Sequence, residues 1–181
     1  MTRMRGGLLS AAMCMLVTAT SCTGGGHSSA TSSGRRCAPV FTAPFDRVDA
    51  CSAESVMTAA LTTVFSYRPA EHLTAPAAFT AAAPLMDPEF AARAEPAAAL
   101  LVPITPVMWQ QWAARAVTVT ASARVTGDEH PPDTTTSVAR VLAVTQRPSD
   151  NSPSIQFAVY ARAGRSGPGT AWRITQLEVK T

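Results

Sequence analysis

The sequence has little charge and few aromatic rings. Charged residues make up 15% and aromatic residues 6% of 181, where about a quarter charged is usual for a soluble domain. Lys180 is the only lysine, so arginine supplies nearly all the positive charge. With Lys+Arg 15 against Asp+Glu 12, the formal net charge is +3. That balance excludes a nucleic-acid binder driven by bulk charge, and it excludes a long disordered polyelectrolyte. No apolar run reaches about 18 residues, which excludes a polytopic membrane protein. No Gly-x-Ser-x-Gly elbow marks a hydrolase nucleophile. The glycine-rich segment at residues 164–169 contains Pro168 and precedes a strand pattern, so it is not a phosphate loop opening a helix. The length suits one domain. Hydrophobic residues at 46% suffice for a core, built mainly of Ala, Val, Leu and Thr.

What is present begins with an address. Arg3 and Arg5 precede a short apolar stretch, residues 6–17, and then the small residues Thr18, Ala19, Thr20, Ser21 and Cys22. A basic start, a short apolar core and a small-residue end describe an export signal. The core is too short for a permanent membrane span. Ala19-Thr20-Ser21-Cys22 resembles the bacterial lipobox, with Ala19 standing where Leu or Val is usual. That resemblance implies a diacylglycerol on the Cys22 sulfur and cleavage just before it. The same residues also suit an ordinary small-residue cleavage site.

Cysteine parity follows from this. Cleavage before Cys22 leaves Cys22, Cys37 and Cys51, and an odd thiol outside the cell is a liability. If Cys22 is lipidated, Cys37 and Cys51 remain as a pair in an oxidising compartment, where a disulfide persists. The 13 residues between them would close a loop worth roughly 3 kcal/mol. Two unpaired buried thiols are the alternative. A structural zinc would need further Cys or His ligands nearby. Residues 23–36 hold no apolar residue larger than Ala and read as a flexible tether of about 20 Å reach. The expected organisation is a signal peptide over 1–21, a lipidated Cys and linker over 22–36, and one folded domain over 37–181.

Within that domain helices come first. Ser52 is a suitable N-cap, with Glu54 in the first turn. Val56, Met57, Ala60, Leu61, Val64 and Phe65 recur at helical spacing, and Pro69 predicts an end near Tyr67. Seven of the 14 prolines fall between Pro69 and Pro106, predicting short helices over about 77–83, 88–93 and 106–114. Residues 97–102 fit a helical turn or a buried strand equally. From Arg115 the period changes to two. Val117, Val119, Ala121, Ala123 and Val125 alternate with polar residues, and further strands are expected over about 134–146, 155–161 and 171–179. In the last, Trp172 and Ile174 are out of phase with Leu177 and Val179, so a bulge near Thr175 or Gln176 is expected. Consecutive strands with short loops favour an antiparallel meander, whose apolar face the helices must cover. The expected class is α+β: N-terminal helices packed on a curved antiparallel four-stranded sheet.

This order resembles the NTF2-like superfamily, and within it the exported actinobacterial Mce-associated and VirB8-like accessory proteins. The residues that carry the resemblance are Phe65-Ser66-Tyr67-Arg68-Pro69-Ala70 after the first helix, the alternating strand after Trp109-Gln110-Gln111-Trp112, and Gly169-Thr170-Ala171-Trp172-Arg173-Ile174-Thr175. It covers about residues 53–179. The resemblance implies a cone fold. In place of the transmembrane helix of most such relatives, this chain would use a lipid on Cys22.

Candidate chemistry is sparse. His130 lies beside Asp128, Glu129 and Asp133, but without the spacing of a known metal site, so a solvated polar turn is the expectation and no metal or cofactor is assigned. NTF2-like enzymes place an Asp or His base and Tyr donors inside the cone. Tyr67 and Tyr160 are the only tyrosines here, Tyr160 alternates with the apolar set, and Glu54 and Glu71 sit at the ends of the first helix, so no catalytic residue is transferred. Trp109 and Trp112 share a helix face. They are either an exposed interaction surface or core packing. The function expected is that of a noncatalytic, lipid-anchored accessory protein on the outer face of the cytoplasmic membrane. Its partner would be an envelope protein of a transport or conjugation-type complex. A carrier of a small lipid or steroid-like ligand in the cone cavity, and a cryptic NTF2-like enzyme, are the alternatives.

Overall fold

A computed structural model describes residues 40–72, 74–101 and 103–180. The signal, Cys22, the tether and Cys37 lie outside the described residues.

Helix α1, Ala53–Val64, starts where Ser52 accepts from the Ser55 N–H at 3.1 Å, satisfying an otherwise orphaned donor. It ends three residues before the expected Tyr67. Ser66 donates its hydroxyl to the Thr62 carbonyl and accepts from the Ala121 N–H. This offers the backbone an alternative to the helical ladder. Tyr67 then pairs with Val119 as an isolated antiparallel bridge, both bonds 2.8 Å. The chain leaving α1 is thus sewn to the first strand.

Prolines set the starts of the next helices: α2, Pro76–Ala82, α3, Pro88–Ala94, and α4, Pro106–Ala114. Pro at the first helical position loses nothing, since its missing N–H would be unpaired there. Asp87 caps α3 and Thr105 caps α4. The ambiguous segment resolves as a 3-10 stretch, Glu95–Leu101, not a strand.

Strands β1 (Val119–Val125), β2 (Ser137–Pro148), β3 (Ile155–Gly164) and β4 (Arg173–Lys180) form one antiparallel sheet in chain order. The protein is therefore α+β. β2 starts three residues later than the pattern suggested, because Thr134 bonds Ser137 in a polar bend, and β4 two later, because the Trp172 N–H donates to the Ala50 carbonyl outside the sheet. The register aligns Leu142 with Val159 and Val125, and Ala163 with Ile174, so these side chains share a face. A register shift at Arg162/Ala163 leaves Thr175 without a ladder partner. This inserted residue returns Leu177 and Val179 to the side of Ile174, where they pack on the core.

Helix α1 fills that face. Val56, Met57, Ala60 and Leu61 have no exposed surface, nor do Leu142, Val144, Val159 and Ile174. Phe65 meets Phe157 edge-on with centroids 4.9 Å apart, a favoured aromatic geometry. The opposite face of the sheet carries Thr120, Ser122, Arg124, Arg162 and Glu178 and is exposed or half-buried.

Candidate functional site

The polar turn read around His130 is organised by a residue the sequence pattern passed over. Arg140 lies between Val138 and Leu142 on β2, and its alternation partners belong to the core-facing side. Its side chain is only 12% exposed. The guanidinium binds Asp133 through two bonds, 2.6 and 2.7 Å, reaches Glu54 on α1 at 2.9 Å, and donates to the Ala139 carbonyl at 2.8 Å. A forked contact to a carboxylate is the strongest geometry available to arginine. The Arg140 bond holds the Asp133 carboxyl below the usual carboxylate range, and the same bond raises the guanidinium's pKa further.

His130 joins at the edge. Its Nδ1 is 2.9 Å from the Pro131 carbonyl and 3.3 Å from an Arg140 nitrogen. A protonated Nδ1 donates to the carbonyl, and a bare one accepts from Arg140, so one nitrogen serves only one of them at a time. Asp128 instead accepts from the Thr126 hydroxyl. The Asp128, Glu129, His130 and Asp133 sequence cluster is therefore split. Among the described residues no group of three or more His, Cys, Asp or Glu side chains is placed to hold a metal ion. The assembly clasps the N-terminus of α1 to β2 and the 126–137 loop.

A second polar feature lies in the core. Gln146 has no exposed surface and donates from Nε2 to the Phe65 carbonyl at 2.8 Å. Its Oε1 and the neighbouring Tyr67 hydroxyl are both buried without a hydrogen bond of good geometry among the described residues. Burial pushes the Tyr67 phenol well above its ordinary pKa, and the nearby Gln146 amide offsets only part of that. A phenol so held stays neutral and cannot serve as a base at physiological pH. Tyr160 faces the other way, with its hydroxyl accepting from Arg162 and the Lys180 ammonium over its ring.

The tryptophan pair divides. Trp112 is 3% exposed and belongs to the core, so of its two readings core packing holds and an interaction surface does not. Trp109 is half-buried and packs edge-on against Tyr67 at 5.4 Å. The pair shares a helix face, but that face looks into the fold at Trp112 and reaches its rim at Trp109. There a depression of about 380 Å³ opens between Pro76, Ala99, Ile104 and Pro106. Leu100 and Val107, each next in sequence to a lining residue, are 85% and 62% exposed.

Cys51 is disulfide-bonded. Its partner lies outside the described residues, as do Cys14, Cys22 and Cys37. The Cys51 carbonyl accepts from the Trp172 indole at 3.0 Å, and the Trp172 N–H donates to Ala50 at 2.9 Å. The half-cystine is thereby fixed to the sheet at the start of β4.

Of the missed residues, Arg140 and Gln146 carried a signal. Each is polar and stands in phase with Val138, Leu142 and Val144, an interruption of an apolar alternation. Comparison with known protein families, with curated proteins and with solved structures gives no match.

Proposed function

We propose that this protein is a noncatalytic, lipid-anchored accessory protein of the cell envelope, with the described residues forming an NTF2-like domain that binds another protein. The filled face between α1 and the sheet carries this reading. NTF2-like enzymes and carriers work inside that space, whereas here Met57, Leu61, Tyr67, Leu142, Val144 and Ile174 occupy it, none more than 1% exposed. The rim around Leu100, Val107 and Trp109 supplies the apolar, partly exposed surface that protein contacts favour. Cys22, as the lipidated residue, would fasten the chain to the outer face of the cytoplasmic membrane, and residues 23–36 would give it reach. A disulfide at Cys51 suits an oxidising compartment.

The test is fractionation and cross-linking in cells. Cys22→Ala should move the protein from the membrane to the soluble fraction. A photo-crosslinking residue at position 100 or 107 should capture a discrete envelope protein, which the same residue at position 124 on the exposed sheet face should miss. Unchanged fractionation would remove the anchor, and equal labelling at all three positions would remove the interaction surface.

A further inference from the structure

Among the described residues Arg68, Arg115, Arg140 and Lys180 each meet a carboxylate. Arg165 and Arg173 meet none among the described residues, although both are half-buried. They are held by other means. Arg165 lies over the Trp172 ring at 4.3 Å and donates from Nε to the Thr135 carbonyl at 2.6 Å. Arg173 donates from one terminal nitrogen to the Pro84 and Met86 carbonyls at 2.6 and 3.4 Å, and its guanidinium lies 5.5 Å from the Phe41 ring. Carbonyls and ring faces orient a guanidinium without cancelling its charge. Each retains unused N–H donors, since a guanidinium has five.

Both line one depression of about 810 Å³, at the end of the sheet where β3 turns into β4. Its geometry follows from the strand register. Arg173 is paired across the ladder with Gly164, and Arg165 follows that glycine. A side chain at 164 would press on Thr175 Cγ2 at 3.0 Å and approach the Thr136 carbonyl at 3.7 Å; glycine keeps the backbone open to a close approach. The Thr136, Ser166 and Thr175 residues add hydroxyls to the lining. Asp87 is the one acid there among the described residues, and its Oδ1 is engaged at the start of α3 by the Glu89 and Phe90 N–H groups, each at 3.1 Å.

We infer that the depression between Arg165 and Arg173, floored by Gly164, is a binding site for a phosphate group. The phosphate is either free or carried on a glycerol headgroup. Two oriented guanidiniums with unused forks match a tetrahedral oxyanion; the Ser166 and Thr175 hydroxyls already donate to Thr170 and to the Arg162 carbonyl, which leaves the Thr136 hydroxyl as the neutral donor of the lining. The site is distinct from the Trp109 rim, so it stands whether or not the envelope reading does.

The experiment is a titration of the full chain with inorganic phosphate and, separately, glycerol 1-phosphate. It follows the backbone amide resonances of Gly164, Gly167 and Gly169 at constant ionic strength. Saturable shifts of these amides are expected, with Gly127, remote from the depression, unmoved. Arg165→Lys keeps the charge and loses the fork, and should weaken binding about tenfold, the scale of one charge-assisted hydrogen bond. Arg173→Gln should do at least as much. Arg162→Gln, on the exposed face of β3, should change nothing. Tighter binding of glycerol 1-phosphate identifies a headgroup site, and equal affinity a free-phosphate site. If Arg173→Gln lowers stability, Arg165→Lys with an unchanged melting curve still decides. Shifts that fail to saturate, or that are the same in wild type and Arg165→Lys, overturn the site.

Discussion

Trp172 is the residue whose removal tests the packing most directly. Its side chain is 5% exposed, its indole N–H binds the Cys51 carbonyl, and its ring carries the Arg165 guanidinium. Trp172→Ala removes the largest ring from the start of β4, and such truncations cost about 3–5 kcal/mol. The lost bond to Cys51 accounts for roughly 1 kcal/mol of a typical value, and the lost cation–π contact for about 0.5–1 kcal/mol. Trp172→Phe keeps most of the apolar body but loses the indole donor, so about 1–2 kcal/mol is expected. The assay is urea unfolding of the full chain under non-reducing conditions, read as a shift of midpoint at constant slope. An alanine variant within about 1 kcal/mol of wild type would refute burial of the ring. A phenylalanine variant as unstable as the alanine one would refute the division between packing and hydrogen bond.

Three other outcomes are expected. Tyr67→Phe should leave stability unchanged or raise it by up to about 1 kcal/mol, because the hydroxyl is buried without a well-formed bond; a loss of that size in urea unfolding would show a hydrogen bond at the phenol. Asp133 is depressed below its ordinary pKa by Arg140, so its stabilisation is present above about pH 4 and lost as pH falls through the lower folded value. Asp133→Asn should therefore cost on the order of 1 kcal/mol at neutral pH, screened by the side chain's exposure, and flatten the acid limb of a melting-temperature profile; an unchanged limb would refute the pairing. Mass mapping of non-reduced peptides should join Cys51 to Cys37, and a Cys51 peptide linked to Cys22 or Cys14 would refute both the disulfide pairing and the lipidated Cys22.

How much was legible depended on which residues punctuate the chain. Helix α4 matched its expected span because Thr105 caps it and Pro106 opens it, and both signals are local. The bulge at Thr175 was legible because Ile174 and the out-of-phase Leu177 and Val179 can face one core only if a residue is inserted between them. The end of α1 was not, since Ser66 ends it through a bond to β1, 55 residues away, and no local pattern carries that. The candidate sites divide the same way. Cysteine parity anticipated a bonded Cys51, whereas the tryptophan spacing alone could not separate Trp112 from Trp109. Arg140 escaped because a single charge in a Val- and Ala-rich strand reads as surface, until Glu54 and Asp133 are brought to it by tertiary contact.

The bulge at Thr175 also blunts one edge of the sheet. Beyond that residue β4 is an outer strand, and a regular one would offer a neighbouring chain an unbroken row of amide groups. The kink breaks that row. On one side of it the Met86–Asp87 backbone already occupies the ladder position beside Ile174; on the other, Glu178 and Lys180 pair across the exposed surface. A strand approaching this edge would find only a few residues in register before charge and twist part them.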